Sequence, residues 1–504
     1  MNRFGVLGCF AILSLFGVLL IGQGQVSAAD SIEIDSRAQL FVDEVLVDRM
    51  ERVWLSSGGA YNTRPKKVPE NPIMKPDRPW EGFLVLQPGS VIYDEQDQLF
   101  KMWYNTLPES TPSDIDQFIC YAISKDGVHW EKPELNLVEF QGSKANNILF
   151  RWSNWTHAVI DDGSDTDPSR RFKMAYWQTE DRDRCGIWST FSPDGIRWTD
   201  IPNNPVVPCW ATGDTFSVTR DPVSKQYWLY HKTSPGGPRK VSRLISDDFI
   251  HWRDDRLVLE PDKNDPPGTE FYGLSVFPYG SQYLGLVWVF HTAQQTMYSQ
   301  LVSSRDGVKW ERSVYRRPFI VLGYMVNHYV GKSFDSGMVF PVSEPVVKDG
   351  EIWFYYSGFD NLHNASGEEH TGQVGLMKIR EDGFTSLDAT AEGYVLTHPL
   401  RFKGGNLYVN VGILPGGKDD SKAPWKGIFN DNPNSDGHFR VAVLDEGGSP
   451  IGGYEASSSK LSPTGGVYQK VSWGAHQDIG ALGGKEVRLK FIFSRSRLYS
   501  FKIK

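Results

Sequence analysis

The chain of 504 residues carries 53 Lys and Arg against 61 Asp and Glu, a formal net charge of −8. That balance excludes nucleic acid and anionic membrane surfaces as partners, since both need concentrated Lys and Arg. Its four cysteines are too few for a disulfide framework, whereas 17 Trp, 21 Tyr and 28 Phe suit tightly packed sheets and flat faces for stacking on sugar rings.

The first segment, 1–29, reads as a signal peptide. Arg3 supplies the positive start, Phe4 to Ile21 are mostly apolar, and Val26-Ser27-Ala28-Ala29 offers small residues for cleavage. A membrane anchor is the rival reading, but Gly8, Ser14 and Gly17 interrupt the run and no basic stop-transfer cluster follows it. No later stretch is apolar enough to span a bilayer, so the mature protein is expected to be secreted or periplasmic, with no integral membrane segment after cleavage. Export leaves Cys120, Cys185 and Cys209, either with one bridge or as three thiols.

Residues 30–398 repeat one unit. Ser124-Lys-Asp-Gly-Val-His-Trp130, Ser192-Pro-Asp-Gly-Ile-Arg-Trp198, Ser246-Asp-Asp-Phe-Ile-His-Trp252 and Ser304-Arg-Asp-Gly-Val-Lys-Trp310 are separated, Trp to Trp, by 68, 54 and 58 residues. Such spacing holds four short antiparallel strands with their loops, which is one propeller blade. In each turn the Asp carboxylate folds back on the backbone and the Gly accepts positive φ, while the Trp fills the gap between blades; the third turn, with Asp-Phe, is degenerate. An aromatic strand precedes each turn: Phe100-Lys-Met-Trp-Tyr104, Phe172-Lys-Met-Ala-Tyr-Trp177, Tyr227-Trp-Leu-Tyr230 and Tyr283-Leu-Gly-Leu-Val-Trp288. A fifth, Ile352-Trp-Phe-Tyr-Tyr356, leads only to Glu381-Asp-Gly-Phe384, and Leu40 to Val47 is expected to supply the strand that closes the ring. From 399 to 504 four segments alternate apolar and polar residues with period two, which predicts an antiparallel β-sandwich of about a hundred residues. The fold class is thus all-β: a five-bladed β-propeller followed by a jelly-roll-like β-sandwich.

In a propeller the innermost strands converge on one axial funnel. Their starts carry Glu81, His157, Asp214, Glu270 and Asp335, one in each unit. Carboxylates crowded at one pole repel one another, and a pair with separated pKa values is what glycoside hydrolysis uses: one protonates the leaving oxygen, the other activates water or attacks the anomeric carbon. Each could equally be a turn or blade-to-blade hydrogen-bond partner, and His157 is expected as a sugar contact or a satisfied core histidine. Trp80, Trp155 and Tyr272 stand beside these positions as stacking candidates. Arg220-Asp-Pro222 matches a short signature of fructan-cleaving propellers, yet it occupies the turn equivalent to Asp94 to Asp97 and is read as a turn.

The five units, the Lys-Met-Trp-Tyr strand, the Ser-x-Asp-Gly-x-x-Trp turns and the C-terminal sandwich resemble the five-bladed propeller glycosidases of the invertase/levanase and arabinanase/xylosidase types. The resemblance implies a carbohydrate substrate and axial catalytic carboxylates. It is incomplete: the first blade has Trp80-Glu81 where relatives carry an aspartate beside proline, and the second has His157 where they carry a carboxylate. The expected roles are Glu270 as general acid, Asp214 as base or nucleophile and Asp335 as modulator or substrate binder, with Glu81, His157, Trp155, Trp80 and Tyr272 binding substrate. No cofactor or catalytic metal is called for; clustered carboxylates could hold a structural calcium ion, although no loop has EF-hand spacing. The competing readings are a non-catalytic carbohydrate-binding surface protein and a lyase or phosphorylase on the same scaffold, the latter needing a cationic phosphate pocket that Lys and Arg positions alone do not reveal.

Overall fold

The structure is a computed structural model that describes residues 31–56, 63–86, 89–108, 117–151, 156–179, 182–234, 237–313, 315–324, 333–341, 344–365, 371–413, 437–462, 465–474 and 476–504. The signal segment and Trp155 lie outside the described residues. Among the described residues the chain is strand and turn, with no α-helix, and hence no helix long and apolar enough to cross a membrane.

The repeats form five blades around one axis, and blades four and five run into a single nine-stranded sheet through a parallel contact of Met297 with Met338. Blade one is built on Val91–Asp94, Leu99–Thr106, Phe118–Ser124 and Ile148–Phe150. Blade two follows with His157–Asp161, Phe172–Gln178, Gly186–Ser192 and an outer edge of Thr199–Asp200 and Val207–Pro208. Blade three runs Phe216–Arg220, Tyr227–Thr233, Lys240–Ser246 and Arg253–Leu259. Blade four runs Thr269–Tyr279, Gln282–His291, Thr296–Ser304 and Glu311–Arg312. Blade five has Met338–Pro341 and Val346–Lys348 on Glu351–Phe359, then Gly372–Arg380.

The turn sequence explains how the blades hold together. In the first copy the Ser124 hydroxyl accepts from Gly127 N at 2.9 Å, and Asp126 Oδ1 accepts from Val128 N and His129 N at 2.9 and 2.8 Å. The copies at Ser192, Ser246 and Ser304 make the same bonds. In the degenerate copy Phe249 itself takes φ 68°, and its buried ring, edge-on to Tyr227 at 5.2 Å, offsets the strain of a left-handed non-glycine residue. The carbonyl at this position then receives a donor from the preceding blade. Trp103 Nε1 reaches Gly195 O at 2.8 Å, Ser189 Oγ reaches Phe249 O at 2.8 Å and Tyr230 Oη reaches Gly307 O at 2.8 Å. Tyr355 Oη reaches Gly127 O at 3.0 Å and latches blade five to blade one.

Two expectations about the chain ends are corrected by the strand pairing. The ring is closed by Lys66–Lys67, paired with Gly372–Arg380, and not by Leu40 to Val47. That segment belongs to the sandwich instead: Gln39–Leu40 pairs with Ser496–Ile503, and Val47–Glu51 with Gly393–Thr397. The reason is apolar packing, since Ile34, Phe41 and Leu46 are buried among Trp473, Phe491 and Phe501. Likewise Ser386–Ala389 and Gly393–Thr397 pair with sandwich strands, so the boundary falls before residue 386 rather than at 398. Arg305 on Asp43 at 2.8 and 2.9 Å and Arg380 on Asn410 at 2.7 Å tie the two units together.

Candidate active site at the propeller axis

Residues of all five blades contribute to one cavity of ≈ 300 Å³ at the mouth where the inner strands begin. Blade one gives Leu86, Thr156 precedes the inner strand of blade two, and blade three gives Asp214 and Thr215. Blade four gives Tyr272 and Trp288, and blade five gives Met338, Phe340, Ser357, Phe359 and the loop residue His363. Aromatic walls with a few convergent polar groups are the make-up of a small-ligand pocket.

Tyr272 is the hub of the polar side. The register slips between Phe271, opposite Val289, and Gly273, opposite Trp288, so Tyr272 is an extra residue in the strand, a bulge that re-aims its side chain. Gly273 is needed beside it, because a Cβ there would stand 3.0 Å from both Thr215 Cγ2 and Trp288 Cε3. Around the ring stand four charges. Lys232 Nζ lies 4.2 Å from the Tyr272 ring centroid and is ion-paired with Asp214. The Arg239 guanidinium lies 5.0 Å from the same centroid and is ion-paired with Glu270. Gly213 leaves the room for Lys232, whose Cε would be 2.9 Å from a Cβ at that position. On the far side His363 Nε2 is 3.0 Å from Tyr272 Oη, and its backbone N–H is anchored on Gln295 O at 2.9 Å.

The four carboxylates and one imidazole expected at the strand starts therefore part company. Asp214 lines the pocket; Glu270 is not in the lining, and is linked to it through Arg239, which lies over the ring of the lining residue Tyr272, two positions from Glu270 along the same strand. Glu81 does not reach the pocket. It is fully buried, accepts from Tyr104 Oη at 2.8 Å and from the Asp77 N–H at 2.8 Å, and pairs with Lys132 at 2.7 Å. Asp335 is also fully buried, with Tyr356 Oη at 2.7 Å and Lys67 Nζ at 2.5 Å, so its expected catalytic role is withdrawn. Gly358, between the pocket residues Ser357 and Phe359, makes space for it, a Cβ there being 2.6 Å from Asp335 Cβ. A single acidic cup does not form: each carboxylate has its own cation.

His157 turns the other way from Thr156, as alternation along a strand requires, and is wholly buried beside Gly89. Burial pulls its pKa down to about 4 against a weaker opposing backbone contact from Trp103, so the ring is neutral and no substrate contact. Trp80 is also occupied in packing, donating to Asn147 Oδ1 at 2.8 Å and meeting Phe140 edge-on. Cys185 and Cys209 are bridged and Cys120 is a buried thiol. Among the described residues no group of three or more His, Cys, Asp or Glu is placed to hold a metal ion.

Sequence reasoning missed Lys232, Arg239 and His363. The signal was present for Lys232: second strands run antiparallel to inner ones, so their last residues return to the same mouth, and Lys232 sits near the end of Tyr227–Thr233. His363 carries no such signal, because it arrives on a loop.

No family model matches the chain, and no curated protein sequence matches it. Solved structures are similar to it in fold. A glycosyl hydrolase from Bacteroides ovatus is 17% identical, with 67% of this chain and 97% of that one covered at a TM-score of 0.42. A thermostable family 43 glycoside hydrolase is 16% identical, covering 60% and 93% at 0.41. A family 32 β-fructofuranosidase from Bombyx mori is 10% identical, covering 88% of this chain and 94% of that one at 0.42.

Proposed function

We propose that the protein is an exported glycoside hydrolase whose axial pocket takes one end of an oligosaccharide or polysaccharide. The observation that carries this reading is the convergence of all five blades on an aromatic-walled cavity with Asp214 in its lining and Glu270 held by Arg239 over the ring of Tyr272. Asp214 acts as the base or nucleophile at the anomeric carbon. Glu270 acts as the general acid once sugar hydroxyls displace Arg239 from it, because a carboxyl must leave its guanidinium before it can donate a proton. Tyr272 and Trp288 offer faces to the ring, and His363 and Ser357 offer hydroxyl partners.

One observation favours a second reading, a glycan-binding propeller without turnover: both carboxylates already have cationic partners, as in a site built to bind rather than to protonate. Reducing-sugar release from a panel of plant, algal and microbial polysaccharides separates the two. The hydrolase reading expects release by the wild type, and Asp214→Asn and Glu270→Gln to lower kcat by about 10²–10⁴-fold while glycan binding persists. Binding without release by the wild type selects the second reading. Release of a sugar phosphate only when inorganic phosphate is added would instead assign Lys232 and Arg239 to phosphorolysis.

A further inference from the structure

Trp210 is the most exposed large apolar side chain among the described residues, at 86% of its surface. Single exposed apolar residues are ordinary; what sets this one apart is how firmly it is held and where. Val207–Pro208 pairs with the third strand of blade two, with Gly186 opposite Pro208. Gly186 is also opposite Gln178, at the end of that sheet where Tyr176 faces His157. The chain therefore leaves the outer edge of blade two on the pocket side and crosses that face to Asp214. Trp210 stands on this crossing, four residues before Asp214, hence within about 14 Å of it even if fully extended.

The turn beneath it is over-determined. The Cys185–Cys209 bridge fixes the residue before Trp210, Cys209 N donates to Cys185 O at 3.0 Å, and Ala211 N donates to Pro208 O at 2.9 Å. Gly186 alone lets the two segments meet, since a Cβ there would lie 2.2 Å from Val207 O. Among the described residues no ring contact occupies the indole. A bare indole on a pinned stretch of backbone beside a sugar-sized pocket has only two side-chain torsions to lose when a flat apolar face stacks on it.

We infer that Trp210 is a stacking platform for the outer units of a glycan whose end occupies the axial pocket, an inference that rests on reading that pocket as a glycan site. Trp210 is not among the residues lining the axial pocket, so the units that meet it are those of an oligosaccharide extending beyond the sugar held there. The test is affinity electrophoresis of the wild type and Trp210→Ala in gels cast with arabinan, xylan, levan or mannan, beside cleavage of short aryl glycosides. We expect at least one polysaccharide to retard the wild type, and Trp210→Ala to bind it about three- to tenfold more weakly, with aryl glycoside cleavage unchanged. Trp210→Phe should restore most of the binding. A Cys185→Ser, Cys209→Ser variant should weaken it in the same direction. Equal retardation of wild type and Trp210→Ala overturns the inference, as does retardation of the wild type in none of the four gels. Loss of cleavage alone, with Trp210-dependent retardation intact, overturns only the hydrolase reading.

Discussion

Blades one and five carry carboxylates at the same place in the repeat as blades three and four, and put them to opposite use. Glu81 and Asp335 have no exposed surface, and each takes a hydrogen bond from a tyrosine of the second strand and an ion pair from a lysine. Burial, with nearby acidic groups, pushes the Tyr104 and Tyr356 phenols well up, so both remain donors. Asp214 lines the pocket and Glu270 is partly exposed, and their partners Lys232 and Arg239 both lie over the ring of the pocket residue Tyr272. The repeat position supplies a carboxylate; the neighbouring strand decides whether it becomes a buried bracket or a group that a ligand can reach.

The comparison breaks most visibly in stability. Glu81→Ala leaves Lys132, itself only 5% exposed, with the solvent-exposed Asp77 at 2.6 Å in place of a buried partner, and also strips the Tyr104 hydroxyl of its acceptor; the expected cost in urea unfolding is about 3–5 kcal/mol. Asp335→Ala is expected at the lower end, because Lys67 is 26% exposed and can turn to water. Values within about 0.5 kcal/mol of wild type would show that these pairs are not brackets.

His157 sharpens the contrast, being a buried titratable group with no counter-charge. Its folded pKa near 4 lies below the ordinary histidine value of 6.5, so the unfolded chain binds the proton more readily. The stability it supports is complete above pH 6.5 and is lost as pH falls toward 4, about 3 kcal/mol in all. Urea midpoints across that window should fall in the wild type and stay flatter in His157→Gln. Parallel profiles would place the acid-sensitive group elsewhere.

The smallest effect is at the seam. Tyr355→Phe removes the bond to Gly127 that latches the last blade to the first, at an expected cost of about 1 kcal/mol, while activity per folded molecule is unchanged. A cost equal to that of a surface substitution would mean that the seam is held without this bond, by Lys66–Lys67 and the Phe100–Trp353 stack.

Much of the fold was legible because it is written locally. A Ser-x-Asp-Gly turn bonds to itself whatever surrounds it, so four copies announce four blades. The closing strand was misread because alternation in Leu40 to Val47 says only that the segment packs one face on a core, and the sandwich, 400 residues away, was the core it found. The site was half legible. Asp214 and Tyr272 show in the inner strands, but whether an acid meets Lys132 or a pocket depends on contacts between distant residues. Lys232 needed the antiparallel return of a second strand, and His363 a loop pinned to Gln295.

The central claim is that two of four matched carboxylates do chemistry and two hold the ring. Specific activity per folded molecule, on whichever polysaccharide the wild type cleaves, tests it in Asp214→Asn, Glu270→Gln, Glu81→Gln and Asp335→Asn. Turnover should be lost with unchanged Tm in the first two, and Tm should fall with turnover retained in the last two. Full turnover in Asp214→Asn, or turnover abolished in well-folded Glu81→Gln or Asp335→Asn, would contradict it.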